Sequence, residues 1–274
     1  MEDILDKSLV SDPTICNLLL RVGTGRLDVA VYSVVHDNSL IYRSVSLDPA
    51  ASDMLKAVED AVYDNPLLLS DFRRIYCLLE TDRTMVVPLE ADDPALCRNM
   101  FRAVHPDFAG EVLESSTSTR NARILYGPDE ALIGFIRRTF HGVSIDSHLS
   151  PLCRYFASKP GRGNSRRVIC NFRREAVDVV ILDGNMLMLA NTFRYNSPMD
   201  AVYYILASWK SLGLDVHTDE LLLAGDQGVR EEIVPTLRRF LARVMPVIFP
   251  PQMFRAGRES MRAPFDLIVT PLCE

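Results

Sequence analysis

Residues 167–196 read RVICNFRREAVDVVILDGNMLMLANTFRYN, and they predict three short strands joined by two tight turns. Val168, Ile169 and Cys170 make an apolar run, Asn171–Ala176 reverses the chain, and Val177–Leu182 returns. Asp183-Gly184-Asn185 turns again before Met186–Thr192. Apolar runs bounded by turn formers are the signature of an antiparallel meander. The same order occurs near the start of the chain, in Cys16–Arg21, Gly23-Thr24-Gly25, Leu27–Val35, Asp37-Asn38 and Ser39–Leu47. Laying Leu27-Asp28-Val29 on Val177-Asp178-Val179 gives an offset of 178 − 28 = 150 residues.

Working outward, each meander is followed by a proline near a helix start, an amphipathic helix and a strand. Asp48-Pro49 precedes a helix capped by Ser52 or Asp53 and running to about Asp64. Its Met54, Leu55, Val58, Ala61 and Val62 recur at helical spacing and make one buried stripe. Ser197-Pro198 precedes the matching helix Met199–Leu212, which Gly213 ends. Arg74–Glu80 and Glu220–Ala224 are the returning strands. Thr84–Leu89 is expected to pair with Arg74–Glu80 across Thr81-Asp82-Arg83. A helix from Asp93-Pro94 to about Val104, strands at Glu111–Ser116 and Ala122–Tyr126, and helices after Asp129 and over Ser147–Ser158 complete the first half. Ser158–Ser165 reads as the linker, which divides the chain into a first domain of residues 1–160 and a second of 161–274. Gly225-Asp226-Gln227-Gly228 turns into a helix to about Val244, and Pro264–Thr270 reads as a last strand.

With 274 residues the chain can bury two cores, and 48% hydrophobic with 24% charged residues belongs to a globular protein. A net charge of −6 gives no global attraction to nucleic acid. Arg162, Arg166, Arg167, Arg173 and Arg174 gather around one loop and read as a solvated rim. Met1–Lys7 is acidic and does not read as an export signal, and no stretch approaches the ~20 apolar residues of a membrane helix. The six cysteines lack a Cys-x-x-Cys pair and are expected to be reduced core residues of a cytoplasmic protein. The five histidines, at 36, 105, 141, 148 and 217, have no metal-ligand spacing.

Three antiparallel strands, a crossover helix and a returning strand make an α/β unit with a mixed sheet and helices on its faces. The unit resembles the ribonuclease-H-like fold, and its tandem duplication resembles the actin-like ATPase superfamily. The likeness covers nearly the whole chain and lies in element order. Within that superfamily the chain resembles an uncharacterised bacterial family with no established activity to carry over. The resemblance implies that the first hairpin of each half faces phosphate, with an Asp on the first strand serving magnesium and its waters. In the first half Arg21 stands where the Asp belongs, although Gly23, Thr24 and Gly25 match the turn. In the second, Asn171 replaces the Asp, and Arg173 and Arg174 replace the glycines. Unit charges ~4 Å apart interact by roughly 4 kcal/mol at an effective dielectric of 20, so exchanging Asp for Arg turns attraction for a cation into repulsion of that order. Leu221–Asp226 resembles the strand and Gly-Gly turn that lie against adenosine, with Asp226 after Gly225 in place of the second glycine. Asp28 and Asp178 lie on second strands and are expected to solvate a sheet face or edge.

The expected function is therefore that of a non-catalytic actin-like scaffold or protein-interaction module, without ATP, magnesium or another cofactor. The alternative is a binder or enzyme acting on a nucleotide or other phosphorylated ligand. Arg21, Gly23, Thr24, Gly25, Asn171, Arg173, Arg174, Gly225 and Asp226 would form its site.

Overall fold

Leu18, Leu19 and Leu20 can all be buried because their strand has a neighbour on each side and cover on both faces. This is β1 (Cys16–Gly23), which pairs with β2 (Arg26–Ser33), itself paired with β3 (Leu40–Ser46). The computed structural model describes residues 10, 12–33, 40–47, 54–159, 163, 165–250 and 261–273. The Asp37-Asn38 turn, Asp48-Pro49 and the Ser52 or Asp53 cap fall outside these, as does much of the expected linker. After α1 (Met54–Tyr63), β4 (Arg74–Leu79) returns parallel to β1. Next come β5 (Thr84–Pro88), α2 (Pro94–Val104), β6 (Leu113–Ser116), β7 (Ala122–Tyr126), α3 (Glu130–Thr139), β8 (Ser144–Ser147) and α4 (Ser150–Ala157).

The second meander is β9 (Arg167–Arg173), β10 (Ala176–Asp183) and β11 (Met186–Arg194). It is followed by α5 (Pro198–Ser211), β12 (Glu220–Gly225), α6 (Gln227–Leu237), β13 (Val244–Pro246) and α7 (Phe265–Val269). The strand orders β3-β2-β1-β4-β8 and β11-β10-β9-β12-β13 are the same arrangement twice. In each, the meander is antiparallel and the last two strands are parallel to the first. The duplication read from the 150-residue offset is thus present in the topology.

Four expectations are corrected. β5 pairs with β7 in a three-stranded sheet of order β5-β7-β6, not with β4. Asn121 anchors this insertion to β11, its side chain donating to the Leu187 carbonyl and accepting from the Leu187 amide, each at 2.9 Å. Residues 144–147 form β8, parallel to β4, and the helix expected from Ser147 begins at Ser150. The helix after Asp226 stops at Leu237, two residues past Pro235, and Val244 opens β13. Pro235 lacks the amide that would hold the helix's last turn. Pro264–Thr270 is helical, not extended: every residue of α7 is buried, and an apolar run buried all round has no periodicity to tell strand from helix.

By packing, the chain forms two compact units, residues 1–81, 127–148 and 249–271 in one and 82–126, 149–248 and 272–274 in the other. A cut at 160/161 separates the two meanders, whereas these units assign α4 and the insertion β5–β7 to the second meander.

Candidate functional site

In the first unit, β1 brings Arg21 opposite Asp28 of β2, across the two-residue turn Thr24-Gly25. Arg21 is 1% exposed. Its Nε donates to Asp266 Oδ2 at 2.7 Å, and its Nη1 lies 3.4 Å from Asp28 Oδ2 and also pairs with Glu80. Asp266 comes from α7 and Glu80 from the residue after β4, so four segments meet at one guanidinium. Asp28, 0% exposed, also accepts from the Tyr42 hydroxyl at 2.8 Å and pairs with Arg26 Nε at 3.0 Å. Burial alone would lower the proton affinity of Arg21, but Asp266, Glu80 and Asp28 outweigh it and hold the guanidinium above its ordinary range. Burial and then the Asp28 charge push the Tyr42 phenol up.

The glycines have local reasons. A Cβ on Gly23 would meet the end of the Glu80 side chain, the partner of Arg21, which would then have to shift. Gly25 sits at φ +69, and a Cβ there would meet open space. Thr24 and Gly25 are exposed at the hairpin tip.

In the second unit, Asn171 lies opposite Asp178 in the same register. Asp178 is 0% exposed. It accepts from Asn171 Nδ2 at 3.1 Å, Thr192 Oγ1 at 2.9 Å, and Arg173 through Nε at 2.9 Å and Nη2 at 2.8 Å. Arg174 is left on the surface with its side chain 86% exposed. Glu175 occupies the left-handed region at φ +60, where the first hairpin has Gly25. The Tyr195 hydroxyl donates to the Arg173 carbonyl at 2.8 Å. Burial first, and then the Asp226 charge, push that phenol up to about 12, against the opposing pull of Arg173.

The third motif meets this hairpin. β12 runs parallel to β9 with Gly225 opposite Phe172, and a Cβ on Gly225 would collide with the Phe172 backbone. Gly225 also has φ +83, so two demands select glycine there. The Asp226 amide donates to the Phe172 carbonyl at 2.9 Å, and its carboxylate accepts from the Val229 amide at 3.0 Å. The start of α6 is thus capped by its own aspartate.

Asp28 and Asp178 do not solvate an edge; they are buried acids neutralised from the hairpins. Hairpin register carried this signal, since a two-residue turn sets Arg21 against Asp28 and Asn171 against Asp178. Glu80, Asp266, Tyr42 and Thr192 had no local signal. The arginine loop is also not one solvated rim. Arg166 is fixed by Asp219 at 2.9 Å, and buried Arg167 donates to the carbonyls of Lys159 and Gly184. Arg162 lies outside the described residues. The residues present do not fit the magnesium ion that the superfamily implies. A guanidinium holds the first position, and the Asn171 amide nitrogen and Arg173 already engage the carboxylate of the second. Among the described residues, no three His, Cys, Asp or Glu are placed to hold a metal ion. Among them, too, no helix is long and apolar enough to cross a membrane.

Residues 9–244 match a family model described as a protein of unknown function, DUF3822. The chain belongs to the DUF3822 family. A crystal structure from Bacteroides thetaiotaomicron VPI-5482, described as a protein with actin-like ATPase fold and unknown function, is similar over 94% of this chain and 97% of its own, with 21% identity and a TM-score of 0.79. A structure of the PilM–PilN type IV pilus biogenesis complex is similar over 96% of this chain and 98% of the matched one, with 13% identity and a TM-score of 0.62. No curated protein matches the sequence. At these identities the likeness establishes the fold. This DUF3822 chain has the actin-like ATPase fold, as its element order predicted.

Proposed function

We propose that this protein is a non-catalytic actin-like module that works by binding another protein, without ATP or magnesium. One observation carries the reading: at each hairpin the position implied to face phosphate and metal is tied internally, Arg21 to Asp28, Glu80 and Asp266, and Asn171 with Arg173 to Asp178. A carboxylate already paired with a buried cation is a poor ligand for a second one, because like charges would share a desolvated space. The PilM–PilN complex supports the protein-binding half of the proposal, as an instance of this fold assembled with a protein. A cytoplasmic location, expected from the cysteine usage, belongs to the same proposal.

Phosphate release from ATP and Mg²⁺ by the purified protein is the direct test, with background turnover expected. Turnover well above a boiled control, abolished by Asn171→Ala or Thr24→Ala, would refute the reading. Cross-linking in cells followed by mass spectrometry tests the partner, with one stoichiometric protein expected. The alternative, a phosphorylated ligand held by Arg21, Arg173 and Arg174, has Arg174 as its exposed cation. A thermal-shift panel of nucleotides and sugar phosphates separates the two: an Arg174-dependent shift supports the ligand, and a flat panel supports the module.

A further inference from the structure

Charge is segregated along α6. Glu231 and Glu232 are exposed in the middle of the helix, whereas the exposed Arg238, Arg239 and Arg243 follow its last turn. Cations at a helix C-terminus suit the macrodipole, which is reason enough for Arg238 and Arg239. It is no reason for Phe240, an aromatic side chain 54% exposed between them and Arg243. The Leu237 carbonyl accepts from the amides of Phe240 and Leu241, at 3.0 and 2.9 Å, and both leucines are buried, so a fixed turn holds Phe240 out into water. The Ala242 amide donates to the Val216 carbonyl at 2.9 Å, which brings Val216, a second exposed apolar side chain, to the same corner. Arg243 is fixed there too: its Nη1 donates to the Thr218 carbonyl at 3.0 Å and lies 3.9 Å from Glu220 Oε1. Two nearby acids serve their own loop, Asp215 accepting from the amides of His217 and Thr218, and Asp219 holding Arg166.

We infer that the corner formed by Arg238, Arg239, Phe240, Arg243 and Val216 is the docking surface for an acidic segment of a partner protein, whose carboxylates pair with the guanidiniums and whose apolar side chain covers Phe240. This rests on the protein-binding reading above and names the surface that serves it. Charge complementarity selects the occupant. Arginine binds carboxylates through two parallel hydrogen bonds, and arginine and aromatic side chains are enriched among those that carry interface energy. Nucleic acid and anionic membranes have the same sign of charge, but spread over a length or breadth that the net charge of −6 on this chain opposes. A short acidic segment meets the arginines alone. Covering Phe240 and Val216 removes from water the apolar surface that folding leaves exposed at this corner.

Photo-cross-linking in cells tests this, with the full chain carrying p-benzoylphenylalanine in place of Phe240 and adducts mapped by mass spectrometry. The same chain is also made with Arg238→Gln/Arg239→Gln, and with Arg98→Gln/Arg102→Gln, which removes equal charge from exposed arginines of α2. One protein adduct is expected, at a segment in which Asp or Glu flanks an apolar side chain. Its yield should fall about fivefold or more with Arg238→Gln/Arg239→Gln and hold with the α2 pair. Both double variants are expected to melt within about 2 °C of wild type, because exposed charges contribute little to stability. Should Arg238→Gln/Arg239→Gln melt lower, Arg239→Gln alone decides, with a fall of about twofold or more expected. An adduct to nucleic acid or lipid overturns the inference, as does one at a segment without acids, or one whose yield the arginine substitutions leave unchanged. A partner found by uniform cross-linking of the wild type, with no adduct from position 240, sinks this inference alone. No partner by either route sinks the protein-binding reading with it.

Discussion

Glu175 holds a backbone conformation that its counterpart, Gly25, reaches without a side chain. An L-residue in the left-handed region costs about 1–2 kcal/mol, part of which glycine returns through greater freedom in the unfolded chain. Glu175→Gly should therefore stabilise the protein by about 0.5–1 kcal/mol in urea titration, since its pair with Arg174 is exposed and worth little. An unchanged or lowered midpoint would show that the hairpin draws on the carboxylate. Asp178 presents the opposite case. Asp178→Asn removes the counter-charge of Arg173, and breaking a buried pair from one side costs about 3–5 kcal/mol. Asp28→Asn should be milder in the same assay, because Arg21 retains Asp266 and Glu80. Equal losses would contradict the difference in charge balance between the two hairpins. The substitutions Arg21 and Asn171 were legible in the sequence because the turn around each resembles a known pattern. Hairpin register puts Asp28 and Asp178 on the same face as Arg21 and Asn171, but strand alternation alone does not tell that this face is buried.

At the level of elements, legibility followed length and boundary chemistry. The meanders, α2, α3 and α5 were recoverable because Asp93, Asp129 and Ser197 cap their helices and tight turns punctuate the strands. β8 and β13, at four and three residues, are too short to display alternation, and α7 displays none because it is buried throughout. Proximity in sequence favours β4 as the partner of β5, but its partner β7 lies beyond α2 and β6, and that choice is tertiary. Asp226 illustrates how an element can account for a residue that looked like part of a ligand site. Its carboxylate caps α6, so Asp226→Ala should lower stability by about 1 kcal/mol. Amide hydrogen exchange should quicken at Val229 and the first turn of α6. Unchanged exchange there, with stability retained, would return Asp226 to consideration as a ligand-facing residue.

For the molecule as a whole, the two five-stranded sheets share one order, yet their interiors differ in charge and agree in excluding water from ionisable groups. Burial pushes the thiols of Cys77 and Cys153 up to about 12 from an ordinary value near 9, and Tyr195 is likewise raised to about 12. Below about pH 9 the folded and unfolded chains both keep the two thiol protons, so these groups leave stability unchanged. Between about pH 9 and 12 the unfolded chain loses protons that the folded chain retains. The unfolded state then binds fewer protons, and stability falls as pH rises, by about 1.4 kcal/mol per pH unit for each buried thiol. Tyr195 joins above about pH 10, the ordinary range of a phenol. Urea midpoints measured under reducing conditions should therefore be level from pH 7 to 8.5 and fall steeply towards pH 11. Cys77→Ala should make the fall shallower. A midpoint that stays level to pH 11 would mean that water reaches these thiols in the native state, and that the sheet interiors are looser than their packing implies.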